Sequence, residues 1–123
     1  MLPIEKDDIV LCVLQEGLDD WVMIDTLIGR CREWAEQSGE AVRGVFTEVL
    51  RRMLSDELVV VGDLRGEGFT DWVGRIDDVI GRVEVELDGF DWNPRMASCW
   101  LRNTDAGDEL ARSVGDRGCW PDD

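Results

Sequence analysis

Residues 42–61 constrain this chain more than any other stretch. Between Val42 and Leu54 the apolar positions are Val42, Val45, Phe46, Val49, Leu50, Met53 and Leu54. Steps of three and one keep them on one face of an α-helix. The other face carries Arg43, Gly44, Thr47, Glu48, Arg51 and Arg52. A β-rich run, Leu58-Val59-Val60-Val61, follows, and Gly62 reads as its stop. A helix therefore leads through Ser55-Asp56-Glu57 into a buried strand. Phe46, Val49, Leu50 and Met53 are expected at the centre of the core, with Trp34 and Trp100 against or near them.

The flanking segments extend this pattern. Ile9, Cys12 and Val13 keep helical register between Glu5 and Gln15, and Gly17 is a natural stop. Trp21-Val22-Met23-Ile24 reads as a short extended piece, with Asp25 as N-cap of a second helix. Leu27, Ile28, Cys31, Trp34 and Ala35 form that helix's stripe. Ser38-Gly39 ends it, and one of the two begins the central helix. After the strand, 63–68 reads as a glycine-rich loop. Residues 75–87 fit a helix through Ile76, Val79, Ile80, Val83 and Leu87, although 82–88 also alternates as a strand would. The helix is preferred because its stripe holds over the whole length. Phe90 to Arg95 reads as a loop, Ser98 to Leu101 as a short strand, and Thr104 or Asp105 as the cap of a last helix.

Composition narrows the function classes. A chain of 123 residues with 44% hydrophobic content suits one domain with a real core. Thirteen basic residues face 28 acidic ones, a net charge of −15. A field of that sign repels phosphate backbones and anionic lipid and attracts basic partners. There is no His and no Tyr, so the commonest general acid–base group is missing. No catalytic residue, metal ligand set or cofactor is expected. Cys12, Cys31 and Cys99 sit among apolar neighbours and read as buried thiols, while Cys119 lies in the terminal stretch. No window approaches the ~20 apolar residues of a membrane span. The N-terminus lacks the basic and apolar runs of a secretory signal, so a cytoplasmic location is expected.

Two stretches carry a family resemblance. Leu54-Ser-Asp-Glu-Leu-Val-Val-Val-Gly62 resembles a recognition-helix end running into a first wing strand. Trp100-Leu-Arg-Asn-Thr-Asp-Ala-Gly-Asp-Glu-Leu-Ala111 is similar to a second wing strand followed by a closing helix. Together they resemble a winged helix-turn-helix domain. The resemblance implies an α+β fold, mainly α: three N-terminal helices, short strands, an inserted helix and a C-terminal helix. It would span 1–114 as a single domain, with 115–123 as a loose tail. It also implies DNA binding through Arg43, Thr47, Arg51 and Arg52 on the third helix.

The charge points elsewhere. Glu40 lies three residues before Arg43, and Glu48 three and four before Arg51 and Arg52, so ordinary intrahelical pairs are expected to occupy these cations. The stretch 77–91 carries Asp77, Asp78, Glu84, Glu86, Asp88 and Asp91 against Arg82 alone. Inhibitors and immunity-type proteins that neutralise basic nucleases often have this charge. The preferred expectation is a non-enzymatic interaction module whose acidic stretch binds a basic protein. A divergent DNA-binding regulator is the alternative.

Overall fold

The structure is a computed structural model that describes residues 6–66, 68–93 and 99–114. The expected tail at 115–123, with Cys119, and the start of the expected 98–101 strand lie outside the described residues. In chain order the elements are α1 (Lys6–Glu16), β1 (Val22–Met23), α2 (Ile24–Ser38), α3 (Val42–Ser55), β2 (Val59–Arg65), β3 (Gly68–Asp71), α4 (Ile76–Asp88), β4 (Trp100–Asn103) and α5 (Asp105–Ser113). The strands form one antiparallel sheet in the order β1-β4-β2-β3. This is the expected mainly α, α+β architecture, and its element order is compatible with a winged-helix-like arrangement.

The stripe of α3 is the centre of the core. Val45, Phe46, Val49, Leu50 and Met53 are buried, and Phe46, Leu50 and Met53 have no exposed surface. Ile9, Val13 and Leu14 of α1, Leu27 and Ile28 of α2, and Val61 and Leu101 of the sheet belong to the same cluster. Trp34 packs against it, half-buried. Trp100 does not. It pairs with Gly62 and Met23 on the opposite face of the sheet from Leu101, because successive side chains alternate along a strand. Residues 76–88 are a helix, since Val79, Ile80, Val83 and Leu87 then all reach the core, whereas a strand would turn half of its side chains outward.

Several boundaries differ from expectation. Asp25 is not the cap of α2. The helix starts at Ile24, whose N–H donates to the Cys99 carbonyl at 3.2 Å, so the backbone entering β4 does the work of a capping side chain. Neither Ser38 nor Gly39 begins α3. Gly39 closes α2 in the left-handed conformation, with φ +81°, and α3 starts at Val42 after an extended Ala41.

The largest difference is at 62–71. The chain does not loop after Gly62; β2 runs through it to Arg65 and turns back as β3. A Cβ at Gly62 would lie 2.3 Å from the Thr70 carbonyl oxygen and 2.4 Å from the Phe69 ring. The glycine marks close approach of a neighbouring strand, which leaves the same trace in a sequence as a strand end. The expected capping by Thr104 is present: its Oγ1 accepts the Gly107 N–H at 3.0 Å and donates to the Glu57 carbonyl. Cys12, Cys31 and Cys99 are buried cysteines outside any disulfide among the described residues, and burial pushes the Cys31 thiol up to about 12. Among the described residues, no helix is long and apolar enough to cross a membrane.

Candidate functional site

The polar face of α3 lies against α4. Arg43 Nη1 is 3.2 Å from Asp88 Oδ1, Thr47 Oγ1 donates to Glu84 Oε2 at 2.8 Å, and Arg51 Nη1 is 2.6 Å from Asp77 Oδ1. Positions rising by four along α3 meet positions falling along α4, so the two helices run antiparallel. Three of the cationic or polar candidates for DNA contact are thus joined to three of the acidic candidates for partner contact. The expected intrahelical pairs are not what holds these groups. Glu40 and Glu48 both turn to Lys6 of α1, at 3.2 and 2.7 Å, and that ammonium also sits 4.8 Å from the centre of the Trp34 ring. Arg52 reaches Asp7 of α1 and Asp56. Packing decides this outcome: with α1 and α4 on either side of α3, carboxylates from neighbouring helices reach the guanidinium groups.

Electrostatics follow the geometry. The hydrogen bond and charge of Arg51 hold the Asp77 carboxyl below its usual range. Lys6 is held above its usual range, chiefly by its bond to Glu48. The Arg43–Asp88 and Arg51–Asp77 pairs are about half or more exposed, so water and salt screen them and they add little to stability. The apolar side of α4 is a far stronger tie. Burying Val79, Ile80, Val83 and Leu87 is worth ~1.5–3 kcal/mol apiece. The carboxylate row is therefore held over α3 by the core, and salt that screens the pairs leaves α4 in place.

A second set of contacts fixes α4 to the β2–β3 hairpin. The Arg82 guanidinium stacks 3.7 Å from the Trp72 ring centre and lies 3.6 Å from Asp63 and 3.8 Å from Glu86. Trp72 Nε1 donates to Asp63 at 2.9 Å. Beyond the C-terminus of α4, Asp91 and Trp92 both take left-handed backbone, at φ +53° and +60°. Trp92 holds that turn: its N–H donates to the Leu87 carbonyl, its indole N–H to Asp88, and its ring meets Phe46 edge-on at 5.4 Å. Asp78 and Asp91 remain exposed, with no side-chain ion pair or hydrogen bond among the described residues. Of the six acidic candidates, Asp77, Glu84 and Asp88 face α3, Glu86 faces Arg82, and Asp78 and Asp91 stand apart. The row facing α3 was present in the sequence as a step of seven and then four along α4, which places its members on one helical stripe.

Elsewhere, a groove of about 220 Å³ between α1, the end of α3 and α5 is floored by Val10, Leu11, Leu58 and Leu110 and rimmed by Asp7, Arg52 and Asp56. Among the described residues no three His, Cys, Asp or Glu side chains gather as a metal-holding set. Comparison with protein-family models, characterised proteins and solved structures finds no match.

Proposed function

We propose that this chain is a non-enzymatic, winged-helix-like interaction module that binds a basic protein through its acidic surface, as an inhibitor or immunity-type protein does. The observation that carries the reading is the pairing of Arg43 with Asp88, Thr47 with Glu84 and Arg51 with Asp77. A helix that reads a DNA groove needs a free, net positive docking face. Here α4 supplies carboxylates to that face, in a chain of net charge −15. The outer side of α4 and its following turn then offer Asp78 and Asp91 to a cationic partner. Long-range attraction speeds such an association and makes it salt-sensitive.

Capture with the immobilised full chain tests this. The wild type should retain a protein of high isoelectric point that elutes as salt rises. The double variant Asp78→Lys/Asp91→Lys, altered only at exposed side chains, should lose most of that retention. Retention of an acidic protein, or equal retention by wild type and variant, contradicts the reading. The second reading, a DNA-binding regulator using Arg43, Thr47, Arg51 and Arg52, has the element order in its favour and a separate test below.

A further inference from the structure

We propose that the groove between α1, the end of α3 and α5 is a binding site for a small primary amine with an apolar body. The groove encloses about 220 Å³. At about 30 Å³ each, roughly seven waters fill that space, so it suits a ligand of about that many heavy atoms. Val10, Leu11, Leu58 and Leu110 floor it, and Val114 joins them. Val10 and Leu58 are buried members of the core, which fixes the floor in place. Each methylene laid on that floor leaves water, a favourable transfer.

The rim selects the head group. Arg52 donates through Nη1 to Asp7 Oδ1, and its Nε lies 3.5 Å from Asp56 Oδ2. One guanidinium therefore stands between two carboxylates, and the three sum to one negative charge. A carboxylate accepts at both of its oxygens. Asp7 Oδ2 and Asp56 Oδ1 make no hydrogen bond among the described residues. An ammonium brings three donors and one positive charge, which uses those oxygens and neutralises the rim. A carboxylate ligand meets a guanidinium already shared and an excess of negative charge.

The surrounding fields act in the same direction. Both α3 and α5 end at this groove, and the negative ends of their dipoles favour a cation. Asp7, in the first turn of α1, already answers the positive end of that helix. The net charge of −15 concentrates small cations near the chain. The three rim side chains are more than half exposed, so charge alone holds an amine weakly. The floor supplies the affinity and the rim the choice of head group. This inference does not rest on the binding of a basic protein, which is assigned to Asp78 and Asp91 on and beyond α4.

Titration of the full chain with hexylamine, hexanol and hexanoate, followed by methyl NMR shifts, tests it. Hexylamine should move the methyls of Val10, Leu11, Leu58, Leu110 and Val114 to saturation. It should bind more tightly than hexanol and at least about tenfold more tightly than hexanoate. Raised salt should narrow the gap between amine and carboxylate. Asp56→Asn, at an exposed side chain, leaves the rim neutral and should cut hexylamine affinity at least about threefold, with hexanol unchanged. The proposal is overturned by tightest binding of hexanoate, by equal binding of amine and alcohol, or by shifts spread over the acidic surface instead of the groove. It is overturned equally if no probe gives a saturable shift, the result expected of a groove that takes a partner's chain segment. Asp56→Asn should still capture the basic partner as the wild type does, so failure here is distinguishable from failure of the proposed function.

Discussion

Leu50→Ala should cost ~2–5 kcal/mol of folding stability. Leu50 sits mid-way along α3 with no exposed surface, and the neighbouring helix positions Phe46, Val49 and Met53 are buried with it. Truncation removes the transfer energy of the lost carbons and leaves a cavity that the elements packed around α3 cannot fully close. Helix propensity favours alanine only slightly over leucine and does not offset that loss. Urea unfolding measures the effect as a lower midpoint at nearly constant slope. A loss below about 1 kcal/mol would mean that α3 turns a different face to the core.

Gly107→Ala should destabilise by ~1–3 kcal/mol, although the residue lies inside α5, where alanine is intrinsically better by about 1 kcal/mol. Sterics outweigh propensity at this position. A Cβ there would lie 2.1 Å from the Leu58 carbonyl oxygen, a backbone atom, and 3.2 Å from Leu14 Cδ2. The same carbonyl accepts the Thr104 N–H at 3.0 Å, and Thr104 caps the helix. Making room moves the first turn of α5 off the turn that joins α3 to β2 and strains both bonds. Gly81→Ala is the internal control. It lies inside α4 with open space around the added carbon, so it should stabilise by up to ~1 kcal/mol. Paired thermal melts of the two variants should move in opposite directions; movement in the same direction contradicts the close packing of α5.

The contrast between these glycines shows what could be read from the chain. The helix α3 and the choice of helix over strand for 76–88 were legible, because each is a long stripe whose period survives any tertiary context. Gly62 was not. In a sequence, a glycine that ends a strand and one that lets a neighbouring ring lie across it look alike. Only the register with β3 separates them. Asp25 failed as a cap because the Ile24 N–H is satisfied by Cys99, seventy-five positions away in the chain. No local rule anticipates a partner at that distance.

The candidate site divides in the same way. Both charge sets, Arg43-Thr47-Arg51 and Asp77-Glu84-Asp88, were visible as residues and even as stripes. Their joining was not, because intrahelical spacing suggested nearer partners. Glu48 is three residues from Arg51, yet it bonds Lys6 across the interface with α1 at 2.7 Å. Where two helices pack side by side, interhelical carboxylates compete on equal terms with intrahelical ones, since solvent screens every such exposed pair alike. Packing of the apolar stripes sets which charges meet.

In the proposed function, α4 closes the polar face of α3 to nucleic acid. Fluorescence anisotropy of a labelled random-sequence duplex, titrated with the full chain across a salt series, tests it most directly. Non-specific binding comes almost wholly from phosphate neutralisation and lies at ~10⁻⁴–10⁻⁶ M even for ordinary DNA-binding proteins. With Arg43, Arg51 and Arg52 each paired to a carboxylate, and a net charge of −15, the anisotropy should stay flat at near-physiological salt. Binding tighter than micromolar that weakens steeply with salt and is abolished by Arg43→Ala or Arg51→Ala would contradict the account and establish the DNA-binding reading.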